Sequence, residues 1–209
     1  MPVARSVPPG RAGRMWLRGR LGTAERGRDQ LDRKLRILIP EHQRLQTRLQ
    51  RRQEAWSAAY AEAQTWLLRV ELLGGQDAIR GATPVRLADL EVTWTSAMGL
   101  SFPEDAVVHR ADPDEEAVPG NAAVVPATRA FRAALLAGAR AAAAQEAVTR
   151  LESEIAVTRR RMRALDKRWL PWLRDALARL ELTLEQTEQE DGTRLRRAVA
   201  NPAQDRGAP

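Results

Sequence analysis

The chain has 209 residues, of which 44% are hydrophobic, 29% are charged and none is cysteine, and its formal net charge is +7. The lack of cysteine excludes disulfide bonds, thiolate zinc sites and cysteine nucleophiles, and two histidines are too few for a histidine-built metal centre. About half of the residues are Ala, Leu, Arg, Glu or Lys, a composition that indicates long helices or a coiled coil when it carries helical periodicity.

Positive charge is concentrated towards the two ends of the sequence. The formal net charge is +8 over residues 1–73, −6 over 74–126 and +5 over 127–209. A basic excess of this kind can favour nucleic acid, anionic lipid or an acidic protein surface. The sequence contains neither a run of about 18 apolar residues nor an N-terminal apolar signal region, so we expect a cytoplasmic chain without a direct membrane span.

Residues 13–73 are predicted to form a first coiled-coil helix, preceded by a flexible N-terminus at 1–12. Steps of alternately four and three residues from Leu17 to Leu73 reach 17 positions, of which 14 are apolar. A 3.5-residue spacing keeps one seam of a helix facing a partner helix. The seam residues that we single out in this helix are Leu31, Leu35, Leu38, Leu45 and Leu49.

Several residues interrupt the apolar seam or weaken the helix in this first stretch. Arg28, His42 and Arg52 occupy seam positions, where a polar side chain either fixes the register or extends out to solvent. Pro40 lacks a backbone donor and costs about 3 kcal/mol in a helix interior, so we expect a kink there. The glycines near the start each cost about 1 kcal/mol relative to alanine; they are Gly19, Gly22 and Gly27.

Residues 74–126 form an acidic middle segment that begins with the Gly74-Gly75 break. Apolar and polar residues alternate from Leu90 to Thr95, which predicts a β-hairpin over about 88–103 with its turn at 96–99. Because an isolated two-stranded hairpin is marginally stable in water, we expect it to pack on the helices or on another protein. The acidic stretch 112–116 is interpreted as a flexible loop rather than a cation site.

Residues 127–199 are predicted to form the second coiled-coil helix, with Thr128 as a possible N-cap and a flexible tail at 200–209. Its seam advances in steps of three and four, and two consecutive steps of four between Trp169 and Leu177 make a stutter that coincides with Pro171. The seam residues that we single out in this helix are Leu151, Ile155, Met162, Leu165 and Trp169.

The predicted fold class is therefore all-α dominated, a long antiparallel two-helix coiled coil with a short β-hairpin and loops at its closed end. Phosphate-binding, dinucleotide-binding, zinc-protease and nucleophile-elbow motifs are all missing from the sequence. We predict no catalytic, cofactor-binding or metal-binding residues, and hence a chain that acts mechanically, as a scaffold or by binding.

Two stretches of the sequence carry a recognisable motif. The first stretch comprises Gly13-Arg14-Met15, Leu17, Leu21, Ala24, Arg26-Gly27 and Leu31 to Lys34. The second comprises Glu154-Ile155, Thr158-Arg159-Arg160-Arg161, Ala164-Leu165, Leu170-Pro171, Leu173 and Glu188 to Arg197. Together these stretches resemble the D subunit of the vacuolar-type and archaeal-type rotary ATPases, in its bacterial form.

The resemblance implies a central rotor shaft, a non-catalytic part of a proton-transporting ATPase or ATP synthase. It implies three kinds of partner, which are the catalytic and regulatory ring subunits, the small F subunit of the central stalk, and a subunit that links the stalk to the membrane ring. It also implies a cytoplasmic location, peripheral to the membrane. The choice of proton or sodium would be made by the membrane ring and not by this chain.

The resemblance, together with position along the predicted hairpin, assigns two further sets of residues. The expected catalytic-ring interface comprises Arg14, Met15, Arg18, Arg194 and Arg197. The expected small-partner interface comprises Leu90, Val92, Trp94, Leu100 and Phe102.

An alternative function is a basic coiled coil that binds nucleic acid or serves as a scaffold. Proteins that bind single strands use aromatic side chains as platforms for the bases. Trp56, Trp66 and Trp169 fall on the predicted seams and are therefore interpreted as core residues, which favours the rotor shaft.

Overall fold

The computed structural model describes residues 7–82, 88–109 and 120–200. The elements in chain order are α1 (Gly10–Ala82), β1 (Asp89–Ala97), β2 (Leu100–His109), α2 (Val124–Ala164), a π-helical turn (Leu165–Trp169) and α3 (Leu170–Ala200). Helices dominate the described residues and the two strands form one antiparallel hairpin, which confirms the predicted fold class. The contacts divide the chain into two units, one formed by Met1–Arg33 with Arg159–Pro209 and the other by Lys34–Thr158.

In the first unit, the start of α1 packs antiparallel against α3. Arg11 pairs with Glu188 and Arg18 with Glu181, so rising numbers on α1 meet falling numbers on α3. The core of this pair contains Leu17 and Leu173, each 0% exposed, together with Ala24 and Leu170. Burying a leucine side chain contributes about 1.5–3 kcal/mol, so these few residues supply much of the pairing free energy.

In the second unit, the rest of α1 packs antiparallel against α2. Leu45, Ala147, Val148 and Leu151 share one buried cluster with Phe102 of the hairpin. Further along, the facing residues are mostly alanines; Ala63, for example, packs against Ala130 and Ala134. Small side chains let the two backbones approach closely, and the alanine-rich stretch of α2 therefore forms part of the helix interface.

The backbone break in α1 lies at Gly75, whose φ of 61° and ψ of −161° are non-helical. Helical torsion angles continue through Pro40, where the sequence predicts a kink. Pro40 is exposed, so solvent can satisfy the carbonyl group that its missing N–H leaves without a partner. Helical turns resume after Gly75 because Ala78 and Ile79 pack against the cluster around Val70.

The start of α2 is capped by Asn121 and not by Thr128. The Asn121 side-chain oxygen accepts a hydrogen bond from the backbone N–H of Ala123 at 2.9 Å, and its side-chain nitrogen donates to the carbonyl of Val70 at 3.3 Å. The Thr128 hydroxyl lies inside the helix and donates to the carbonyl of Val124, four residues earlier. Asn121 therefore both caps α2 and ties its start to α1.

The hairpin is longer than predicted, since β2 continues to His109. Met98 and Gly99 have φ values of 51° and 78°, the pair of positive angles that a two-residue type I′ turn requires. The strand register shifts between Thr93 and Trp94, which marks a β-bulge. Phe102, Pro103 and Ala106 of β2 are buried, whereas most of β1 is exposed.

The π-helical turn ends at Trp169, two residues before Pro171 and next to the predicted stutter. Its last hydrogen bond runs from the N–H of Leu170 to the carbonyl of Leu165, five residues earlier. A π turn accommodates one extra residue, and it is a typical irregularity where a proline has removed a helical donor. Leu170, which is 5% exposed, is therefore buried in place of Trp169. Trp169, the predicted seam residue, is partly exposed.

The glycines near the start of α1 make a matched pair for a stability test. A Cβ atom at Gly13 would clash with the Pro8 carbonyl oxygen, whereas a Cβ atom at Gly19 would meet nothing within 4 Å. We expect Gly13→Ala to lower the free energy of unfolding by about 1–3 kcal/mol through overpacking. Gly19→Ala should raise it by about 1 kcal/mol, because alanine has the higher helix propensity. Urea unfolding followed by circular dichroism measures both, and stabilisation by both variants would contradict the close contact at Gly13.

Candidate interaction surfaces

The described residues offer surfaces and grooves rather than a reaction centre. Within residues 7–82, 88–109 and 120–200, no group of three or more His, Asp or Glu side chains could hold a metal ion. No helix in that part of the chain is long and apolar enough to cross a membrane. The residues that the sequence singles out fall on the helix seams, on the hairpin and at the end of the first unit.

The predicted seam residues differ in how deeply they are buried. Leu35, Leu38, Leu45, Leu151 and Ile155 are at most 7% exposed. The remaining members are partly exposed; they are Leu31, Leu49, Met162, Leu165 and Trp169. The deepest burial in this set therefore lies where α1 meets the middle of α2.

The polar seam residues in the first helix reach carboxylates on the facing helix. The Arg28 side chain lies 3.2 Å from a carboxylate oxygen of Asp166, and the hydrogen bond to Asp166 raises the pKa of Arg28 above its ordinary value. In the second unit, Nε2 of His42 lies 3.0 Å from Oε1 of Glu152. An exposed ion pair such as Arg28–Asp166 contributes at most about 1 kcal/mol, so its main effect is on the register of the helices.

Arg52, the third polar seam residue, connects three elements. Its guanidinium lies 2.9 Å from the Asp105 carboxylate in β2 and donates to the backbone carbonyl of Arg140 in α2 at 3.0 Å. A longer hydrogen bond of 3.4 Å reaches the Glu104 carbonyl at the bulged part of β2. Sequence patterns do not indicate this role, because the predicted hairpin ends at residue 103, before Asp105.

The five residues expected to bind a small partner do not share one exposed face. Leu90 and Trp94 are 58% and 50% exposed, while Val92 and Leu100 are partly buried. Phe102 is 4% exposed and packs against Leu45 and the α2 core. The part of the set that a partner can reach is therefore Leu90 and Trp94, with the Arg150 guanidinium 4.9 Å from the Trp94 ring.

An apolar groove of about 670 Å³ runs between the hairpin and the helices of the second unit. It is lined by uncharged side chains, among them Trp56 and Tyr60 of α1, Leu90 of the hairpin and Leu135 of α2. Trp56, predicted as a core residue, is 44% exposed. Its indole ring packs against Gly138, where an added Cβ would come within 3.1 Å of the indole nitrogen. Sequence patterns do not reveal this groove, since only the hairpin's position brings these residues together.

The expected catalytic-ring residues lie at one end of the first unit. Met15 is 75% exposed, Arg14 is partly buried, and Arg18 pairs with Glu181 at 2.7 Å. Arg194 and Arg197 lie on α3 beyond Glu188, the residue that pairs with Arg11, and both are exposed. The structure therefore places the start of α1 and the end of α3 at the same end of this unit.

Comparison with known proteins identifies relatives over almost the entire chain. The family described as the D subunit of ATP synthase matches residues 15–200. The D subunit of the V-type ATP synthase of Thermotoga neapolitana is 30% identical over 195 residues, which cover 92% of this chain and 96% of the relative. The D subunit of the A-type ATP synthase of Haloarcula marismortui is 30% identical over 204 residues, covering 95% and 89%. The D subunit of the V-type ATP synthase of Thermus thermophilus is 30% identical over 200 residues, covering 91% and 86%.

Substitution of Arg52 tests whether this residue holds the hairpin on the helices. Arg52→Met keeps the aliphatic stem but removes the hydrogen bonds to Asp105 and Arg140, so we expect a loss of about 1–3 kcal/mol in the free energy of unfolding. Arg48→Met changes an exposed residue one turn earlier on α1 and should alter stability by at most about 0.5 kcal/mol. Equal stabilities of the two variants in urea unfolding would show that the Arg52 contacts contribute nothing.

Proposed function

The chain belongs to the D-subunit family of ATP synthases, and on this basis we propose that it is the central-stalk rotor shaft of a V-type or A-type ATP synthase. As a member of that family it is a structural and non-catalytic part of the complex. It would transmit torque between the catalytic ring and the membrane ion-translocating ring, and so couple ATP synthesis or hydrolysis to proton transport. The observation that carries this proposal is the family match over residues 15–200.

The packing of the helix pairs supports the proposed role as a shaft. A shaft transmits torque only if its helices do not slide past each other. In each unit, buried leucines alternate with interhelical ion pairs such as Arg28–Asp166 and Lys34–Glu154. Sliding by one turn would break every one of these pairs and would move the leucines out of their packed positions, which supports the proposed role.

The partners follow from the family and from the exposed residues. The catalytic and regulatory ring subunits would contact Arg14, Met15, Arg18, Arg194 and Arg197. The small F subunit of the central stalk would contact the hairpin face around Leu90 and Trp94, with Val92 and Leu100 at its edge and Phe102 supporting it from inside. A further subunit would link the shaft to the membrane ring, so the chain would be a cytoplasmic protein peripheral to the membrane.

Nucleic-acid binding has weaker support than a rotor shaft. Arginine side chains of this chain already lie over several of its tryptophan rings. Arg20, Arg69 and Arg150 stand 5.3, 4.3 and 4.9 Å from the rings of Trp16, Trp66 and Trp94. An arginine that covers one face of a ring leaves only the opposite face for a base to stack on.

Site-specific crosslinking tests the proposed orientation. Since the chain has no cysteine, a single introduced cysteine can carry a photoreactive crosslinker. In the assembled ATP synthase, we expect Met15→Cys to crosslink to the catalytic and regulatory ring subunits. Leu17→Cys, at a position that is 0% exposed, is the matched control and should give no crosslinks. Crosslinks from Met15→Cys to membrane-proximal subunits alone would show that the orientation is wrong.

Two aromatic substitutions separate partner binding from hairpin folding. Trp94→Ala removes a half-exposed ring, so we expect the Kd for the small central-stalk partner to rise at least about tenfold with little change in stability. Phe102→Ala removes a buried ring and should cost about 3–5 kcal/mol in the free energy of unfolding. Isothermal titration calorimetry and urea unfolding measure the two effects. Unchanged affinity in Trp94→Ala would exclude this face as the binding surface.

A further inference from the structure

The outward side of α1 carries exposed leucines near the end of the helix. Leu72 is 86% exposed, more than any other large apolar side chain in the described part of the chain, and Leu68 is 59% exposed. Val70 between them is 3% exposed and packs against the start of α2. Since successive helical residues point about 100° apart, Leu68 and Leu72 each lie about 200° from Val70, on the side of α1 that faces away from α2.

These two leucines belong to a second seam with the same spacing as the buried one. Ala61, Thr65, Leu68 and Leu72 follow one another in steps of four, three and four residues, and all are exposed. We refer to these four residues as the outer stripe. The Thr65 hydroxyl donates to the Ala61 carbonyl at 2.9 Å, so its hydrogen bond is made within the helix and its methyl group is available for packing. Alternating steps of three and four suit packing along another helix, so α1 carries one seam that α2 covers and one that α2 leaves open.

The residues on the two flanks of the outer stripe differ in charge. One flank contains Glu62 and Arg69, and the other contains Gln64 and Glu71. Neither Glu62 nor Glu71 makes a hydrogen bond or an ion pair with residues 7–82, 88–109 or 120–200. The Arg69 guanidinium lies 4.3 Å from the Trp66 ring. Charges on the flanks of a helix seam determine which partner helix is accepted and in which direction it runs.

A second copy of this chain, running antiparallel, fits the side chains of the outer stripe. When Thr65 of one copy faces Leu68 of the second copy, Leu72 faces Ala61 of the second copy. By two-fold symmetry each of these contacts occurs twice, so the stripe packs in four layers. Each layer places a leucine against a smaller side chain, which lets the two helices approach closely.

The same arrangement brings opposite charges together on one flank. A two-fold axis perpendicular to α1 places each flank against the same flank of the second copy. Glu62 then lies within about 3 Å, measured along the helix axis, of Arg69 of the second copy, and Glu71 lies beside the uncharged Gln64. A parallel second copy would instead place Glu62 beside Gln64. The flank charges therefore favour the antiparallel pairing.

We propose that the unassembled chain forms a weak antiparallel homodimer through the outer stripe, an inference that goes beyond the proposed function. Burial of Leu68 and Leu72 in both copies supplies the driving force, and the Glu62–Arg69 pairs select the direction. The stripe spans about 17 Å along α1, which makes an interface of the small class that forms transient complexes. A dimer of this kind covers the two leucines in the free chain and dissociates readily when another protein binds.

Sedimentation velocity of the purified full chain tests whether the outer stripe forms the interface. Between about 1 and about 100 µM we expect the wild-type chain to shift from monomer towards dimer, as a small interface implies. Leu72→Glu places a carboxylate in the apolar layers and should raise the dimer Kd at least about tenfold. Leu182→Glu makes the same change at a leucine of α3 that is 57% exposed, and it should leave the Kd unchanged. Circular dichroism of the three chains establishes that their helix content is equal.

Charge substitutions on the flanks test the direction of pairing. At about 50 mM NaCl, where screening is weak, Glu62→Arg should raise the dimer Kd at least about threefold, because it places two arginines side by side. Glu71→Arg is the matched control on the other flank. Both variants raise the formal net charge from +7 by two, so a difference between them reports position and not total charge. Combining Glu62→Arg with Arg69→Glu exchanges the two charges and should restore the wild-type Kd.

Three results would overturn the proposal. The first is a wild-type chain that remains monomeric at about 100 µM, well above the concentrations at which transient complexes of small interfaces form. The second is an equal rise in Kd for Leu72→Glu and Leu182→Glu, which would locate the interface elsewhere. The third is an equal effect of Glu62→Arg and Glu71→Arg, which would exclude the antiparallel pairing. None of these results bears on the proposed function, which the crosslinks from Met15→Cys test separately.

Discussion

Burial of a narrow apolar seam between α1 and the C-terminal helices is the interaction on which the rest of the structure depends. Helices in water are only marginally stable unless they bury an amphipathic face. Here Leu17, Leu38, Leu45, Leu151 and Leu173 are at most 2% exposed and form the interiors of the two helix pairs. Glycines within α1 weaken its intrinsic helicity, so the partner helix is what makes this stretch of α1 stable.

The hairpin depends on the same seam. A two-stranded sheet has too little core of its own, and this one gains it by packing Phe102 into the cluster that contains Leu45 and Leu151. Arg52 adds a polar anchor, because its guanidinium satisfies Asp105 of the hairpin and a carbonyl of α2 together. With the hairpin fixed in this way, Trp94 stays half-exposed beside Arg150 of α2, and Leu90 lines the groove that also contains Trp56 and Tyr60.

Two groups of arginines in the chain differ in their physical consequences. Arg11, Arg18, Arg28 and Arg174 meet carboxylates of the same unit and help to set the helix register. The arginines at 159–163 have no such partners in the described part of the chain, and their charge remains available for another molecule. The excess positive charge is therefore distributed unevenly over the surface, and the position of each arginine matters more than the net charge of the chain.

The sequence by itself determined the helical class, the positions of the apolar seam in α1 and the presence of a hairpin. Apolar residues recur every 3.5 residues in the paired helices and every 2 residues in a strand, and such spacings can be read from neighbouring positions alone. The tertiary structure alone decided that Phe102 points inward, that Arg52 bridges three elements and that Asn121 caps α2 while bonding to α1, because each of these requires contact between residues far apart in the sequence. It also decided that helical torsions persist at Pro40 and that a π turn moves the seam from Trp169 to Leu170. The backbone break at Gly75, by contrast, lies within the Gly74-Gly75 break that the sequence predicts. The sequence indicates that a proline or a glycine destabilises a helix. The packing against the opposite helix determines where along the chain the helix becomes irregular.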